Sequence, residues 1–210
     1  MEWLIQLPVL AFSIICHEYA HGYVAHKNGD DTAYLMGRLS FNPLPHIDFV
    51  GTIVVPALCK FWGMPMFGWA KPVPVNPLRL NKMREGMVKV SLAGPASNFL
   101  LALLCAALFK LSLLGGRQGL LQPLSVAMHY GVLINLMLAF FNLIPIAPLD
   151  GSKILSGLLP YNLAVKYERH SQYGIWILLA LMLTGATKLL LLPLYASLLL
   201  LSKLGLWGTL

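Results

Sequence analysis

Charged side chains are scarce in this chain. Of its 210 residues 11% are charged, where a soluble domain carries about a quarter, and only eight are acidic. With 58% hydrophobic residues and a mean hydropathy of +0.71, that scarcity excludes an ordinary water-soluble globule. Cysteine is nearly missing as well. Cys16, Cys59 and Cys105 are odd in number, lie in or beside apolar segments, and supply neither a disulfide framework nor a paired zinc spacing. Cys16, just before His17, reads as a small buried hydrophobe. There is no internal repeat and no low-complexity tail. The opening run "MEWLIQLPVLAFSIIC" has no basic n-region and no small-residue cleavage site, so it reads as a retained membrane helix and not a signal peptide. The net charge of +7 comes from Lys and Arg in loops between apolar segments. Anionic lipid headgroups and topology account for these charges, and no nucleic-acid partner is implied.

Long apolar runs are what the chain has in abundance. A span needs about 20 residues, and residues 3–25, 90–114 and 124–146 supply three. Residues 173–201 are apolar but interrupted at Thr184-Gly185 and Pro193, which fits one span plus an interfacial piece or a tight pair of short helices. Residues 32–76, rich in Pro, Gly and short β-branched runs, predict extended segments and turns in a re-entrant or interfacial region. The expected fold class is an all-α membrane protein. It is a polytopic helical bundle with a short re-entrant, β-containing region between the first two core helices, built as a single domain over residues 1–210.

Charge asymmetry sets the orientation. Lys71, Arg79, Lys82, Arg84 and Lys89 face one acid, Glu85, so that loop is expected on the cytoplasmic side. The next two helices run out and back, which brings Asp150 to the same side. Residues 17–21 can approach it only if residues 49–67 dip in and return, or lie flat. Irregular backbone survives at membrane depth only when buried in protein or lining a wet cavity, so this stretch should border the site.

Against this background one motif stands out. His17-Glu18-Tyr19-Ala20-His21 puts two histidines at i and i+4 on one helix face, with a glutamate beside them. Ionisable groups at membrane depth are costly and functional by default. Two imidazoles can hold one metal ion, and the offset carboxylate can take a proton from water activated there. A third ligand must come from elsewhere. Of the eight acids, Asp150 follows a strongly apolar helix in "NLIPIAPLDGSKIL", behind Pro145 and Pro148, with Gly151 allowing a turn that aims the carboxylate inward. The competing reading makes Asp150 a cap for a helix at residues 152–159.

"HEYAH", "AGPASNFLLA" and "NLIPIAPLDG" occur in that order, and together the chain resembles the site-2 protease family of intramembrane zinc metalloproteases. The linker "GRLSFNPLPHID…FGWAKPVPVNP" is similar to that of its small standalone prokaryotic members, and the likeness covers about two thirds of the chain. One departure is Ala147, where relatives often carry another proline. The resemblance implies one Zn2+ per chain on His17, His21 and Asp150, and Glu18 as catalytic base. It implies a substrate with a transmembrane segment, a lipid bilayer as surroundings, and a prokaryotic plasma-membrane location with the site toward the cytoplasm. By the same likeness Asn142 and Asn98 would lie near the site to hold substrate backbone or an oxyanion, or else join helices by hydrogen bonds. His46 is a further candidate from the re-entrant region. Gly94 and Pro95 read as close-packing residues. The alternatives are a membrane metal transporter, a non-catalytic zinc-binding membrane protein, or a hydrolase acting on a lipid or prenylated peptide.

Overall fold

A four-residue rhythm decides how the first helix sits. In α1 (Trp3–Lys27), Ser13, His17, His21 and Ala25 fall on one face, and all four are buried. The computed structural model describes residues 3–55, 58, 61, 70–114 and 122–208. After the short α2 (Thr32–Leu35) and the linker come two long helices, α3 (Met83–Leu114) and α4 (Gln122–Asn142). They lie against each other and against α1. Their shared core is Ala102, Cys105 and Ala106 of α3 with Val132 and Leu136 of α4, joined by Leu194 and Leu201 near the C-terminus. Small residues let the backbones approach, which replaces the hydrophobic drive that lipid cannot supply. At Gly131 an added Cβ would lie 2.7 Å from Cys105 Sγ.

Beyond α4 the chain turns through Pro145 and Pro148 into α5 (Asp150–Leu158), then α6 (Tyr161–His170) and α7 (Gly174–Leu183). It ends with α8 (Leu191–Lys203). Arg84 ties α5 to the start of α3. Its guanidinium donates to the carbonyls of Ser156 (3.1 Å), Gly157 (3.3 Å) and Leu159, satisfying orphan groups at the end of α5. Met83–Leu113, Gln122–Asn142 and Ala186–Lys203 are long and apolar enough to cross a membrane. These three apolar helices make the chain a multi-pass integral membrane protein, and the 25-residue α1 packs against α3 and α4. The expected helical bundle is therefore present, with the span from residue 90 starting earlier and that from 124 ending at Asn142. The C-terminal apolar stretch divides into α7 and α8 around Gly185, whose φ of 72° only glycine adopts readily.

The β-containing part of the expectation needs correction. Among the described residues there is no strand, and "FVGTIV" forms a π-helical turn, Phe49–Val54. The Asp48 carboxylate accepts from Gly51 N–H at 2.7 Å, and this local cap favours a helical turn over an extended edge. Residues 56–57, 59–60 and 62–69, on which the re-entrant reading of 49–67 also rests, lie outside the described residues. Residues 70–76 carry neither helix nor strand.

Candidate metal centre

Three side chains from two elements converge on one point. His17 and His21 come from α1, Asp150 from the first turn of α5, and all three are buried. The Nε2 atoms of His17 and His21 are 3.0 Å apart, and each lies 3.1 Å from Asp150 Oδ2. The competing reading of Asp150 as a helix cap is not realised: the helix starts at Asp150 itself, and the carboxylate lies against the imidazoles. Gly151 serves differently from expectation. It is helical with an ordinary φ, and its lack of a side chain lets α5 press on the turn before it. A Cβ there would fall 2.5 Å from the Ile144 carbonyl oxygen.

The outer nitrogens reveal the protonation pattern. His21 Nδ1–H donates to the Val90 carbonyl at 2.7 Å, and a carbonyl only accepts. His17 Nδ1–H donates to Asn98 Oδ1 at 2.6 Å. With both rings neutral, as metal ligands must be, each Nε2 therefore presents a lone pair to the other and to a carboxylate oxygen. Such a trio repels itself unless a cation lies within it. Ligands about 2.0–2.1 Å from a tetrahedral zinc sit about 3.3 Å from one another, close to the spacing here, and two imidazoles with one carboxylate is a catalytic zinc set. The donor set fits the ion.

A cavity of about 420 Å³ opens beside these groups, and Glu18, Pro72, Val73, Ser91, Asn142 and Lys153 are among the residues lining it. Glu18 is half-buried, and its Oε2 accepts the Val73 N–H at 2.7 Å. Val73 belongs to a strap held at both ends. Arg38 donates to the carbonyls of Lys71 and Pro72 at 2.9 and 3.2 Å, and Asp30 Oδ2 accepts from Asn76 N–H at 2.6 Å. Burial alone would raise the Asp30 pKa. Hydrogen bonds from Thr32 Oγ1 and from the Asn76 and Thr32 N–H groups, with Arg79 nearby, instead hold its carboxyl below the usual carboxylate range.

Of the other sequence candidates, Asn142 lines the cavity and donates from Nδ2 to the Leu138 carbonyl at 3.0 Å. Asn98 is fully buried; its amide is engaged between His17 and Asn135 and makes the interhelical bonds weighed as the alternative. His46 is buried outside this cavity, with Nε2 2.9 Å from the Ser40 carbonyl. Gly94 packs as expected, but against the site itself, since a Cβ would meet both imidazoles. Sequence reading missed Val73, Lys153 and Asn135. Asn135 was discoverable by the rule that singles out His17, a polar side chain in an apolar span; Val73 acts through its backbone and leaves no such signal.

Comparison with known proteins agrees with the geometry. The profile of Peptidase family M50 matches residues 117–185, which include Asn142 and Asp150. A Bacillus subtilis protein named "Putative zinc metalloprotease YwhC" is 38% identical over 200 residues, 92% of this chain and 85% of that protein. "Putative zinc metalloprotease Rip2" of Mycolicibacterium smegmatis is 28% identical over 180 residues, 83% of this chain and 64% of that protein. "Zinc metalloprotease MJ0392" of Methanocaldococcus jannaschii is 28% identical over 160 residues, covering 75% of this chain and 35% of its own length. No solved structure matches the chain. Identity at this level across nearly the whole sequence, with the family's profile spanning the third donor, places the chain in Peptidase family M50.

Proposed function

We propose that this chain is an intramembrane zinc metalloprotease that hydrolyses peptide bonds in or near transmembrane segments of membrane proteins. His17, His21 and Asp150 hold the ion and Glu18 is the catalytic base. The observation that carries this reading is the half-buried Glu18 beside three convergent ligand atoms in one cavity. When bound, the zinc supplies Lewis acidity to water and to the scissile carbonyl. Glu18 takes a proton from the attacking water and returns it to the leaving amine. Val73 N–H holds one carboxylate oxygen, which leaves the other to take the proton. The amide of Asn142, which retains a second N–H and its oxygen, is placed to steady the substrate backbone.

A helical substrate shields its peptide bonds, so it must unwind locally, and its bare amides then need partners. The walls of the cavity supply polar groups for them. The whole unit acts within the bilayer, read here as a prokaryotic plasma membrane, and the excess of Lys and Arg at residues 71–89 supports a site toward the cytoplasm. The test is incubation of purified protein with a panel of single-span membrane proteins, with and without chelator. Cleavage should require the metal. Glu18→Gln should keep the zinc and lose at least about 100-fold in turnover; undiminished cleavage by that variant overturns the reading.

A further inference from the structure

The two zinc-facing histidines are oriented by different means. His21 is held by a backbone carbonyl, Val90, that no substitution removes. His17 is held by a side chain, Asn98, and an amide can present either an acceptor or a donor. Flipped, Asn98 would offer N–H groups to Nδ1, which would have to accept. The proton would then sit on Nε2, where the metal lone pair is needed.

What prevents the flip is a chain of hydrogen bonds through the bundle interior. Asn98 Nδ2 donates to Asn135 Oδ1 at 2.8 Å and, at 3.4 Å, to the Ser13 carbonyl. Asn135 Nδ2 donates to the Gly131 carbonyl at 2.8 Å and to Ser13 Oγ at 2.9 Å. The Ser13 hydroxyl donates onward to the Val9 carbonyl at 2.8 Å. Ser13, Asn98 and Asn135 are all at most 1% exposed, so the series runs within the bundle interior. The backbone carbonyls set the direction of the whole series. Because Gly131 O can only accept, Asn135 must point its NH2 there and its oxygen at Asn98. Asn98 must then point its NH2 at Asn135 and its oxygen at His17.

We propose that Asn135, acting through Asn98, is a positioning residue that holds His17 in the Nδ1–H tautomer and so keeps Nε2 free for the metal. Asn135 touches neither the ion nor the substrate; its effect is exerted on which end of the Asn98 amide meets the imidazole. The inference rests on the reading of His17 as a zinc ligand.

The experiment measures the zinc dissociation constant by chelator competition on purified protein in detergent, beside thermal melting of each variant. Asn135→Leu removes the acceptor for Asn98 and frees the amide to turn. Zinc affinity should fall about 10–100-fold, the usual effect of losing support behind a ligand. Asn98→Asp in the Asn135→Leu background, ionised at the pH of the assay, has acceptors at both ends and presents no donor, so it should recover most of that loss. Packing damage alone would not be repaired by a second buried polar substitution. If Asn135→Leu fails to fold, the comparison of Asn98→Asp with Asn98→Leu carries the test, the first keeping affinity within about threefold and the second losing about 10–100-fold. Unchanged affinity in Asn135→Leu, or a loss that Asn98→Asp does not restore, overturns the proposal. Absence of zinc binding in the unsubstituted protein overturns instead the ligand reading beneath it.

Discussion

Gly94 should not tolerate a single added methyl. It lies on α3 where that helix faces the metal centre, and an alanine Cβ would fall 2.5 Å from His17 Nε2 and collide with His21 Nε2 as well. Ordinary contact needs about 3.5 Å, so each ring would have to retreat about 1 Å. Neither can do so freely. His17 and His21 are tied through Nδ1 to Asn98 and to the Val90 carbonyl. Metal–ligand distances tolerate only about 0.2 Å. Overpacking of this kind costs about 1–3 kcal/mol, and here the strain opposes the metal-binding arrangement directly. Zinc affinity should therefore drop about 5- to 150-fold. Chelator competition measures it, and a melting curve of the metal-free protein shows whether the bundle survives. A Gly94→Ala protein with unchanged affinity and turnover would refute the claim that Gly94 packs directly against the metal site.

Three further outcomes follow from the same geometry. Gly151→Ala sets a Cβ against the backbone carbonyls of Leu143 and Ile144, which cannot rotate aside; a destabilisation of about 1–3 kcal/mol and weakened zinc binding are expected in melts and competition titrations. Asp30→Asn tests the strap by pH. The folded-state pKa of Asp30 is depressed, so its contribution is present above the unfolded value near 4 and fades as pH falls through the folded value. The variant should melt below the unsubstituted protein at neutral pH, and the two should converge below about pH 4. Arg38→Met, which removes the donors to Lys71 and Pro72, should lower turnover with zinc content unchanged, as measured by metal analysis beside the cleavage assay.

How much of this is legible in the sequence depends on how local each feature is. The pairing of His17 with His21 needs only the pitch of a helix, so the motif alone places both rings together. Asp150 requires knowledge of how α4 turns back. Its apolar surroundings mark it as a candidate, while its orientation depends on Gly151 fitting against Leu143 and Ile144, a contact with no sequence signature. The helical turn at Phe49–Val54 escaped because β-branched residues suggest a strand, whereas the Asp48 cap stabilises the alternative. The roles of Asn98 and Asn135 depend on the register between helices, and the residue types permit either a substrate contact or an internal bond. Val73 contributes an amide hydrogen common to almost every residue, so only its position in the folded chain distinguishes it.

That amide hydrogen has neighbours that matter. Pro72 and Pro74 flank Val73, and neither carries a hydrogen on nitrogen. Sliding the segment by one residue in either direction would therefore offer Glu18 nothing to bond. The reading frame of this stretch against the general base is encoded in what its neighbours cannot donate. Single-residue insertions or deletions between Arg38 and Val73 should accordingly do more harm than replacing the valine side chain.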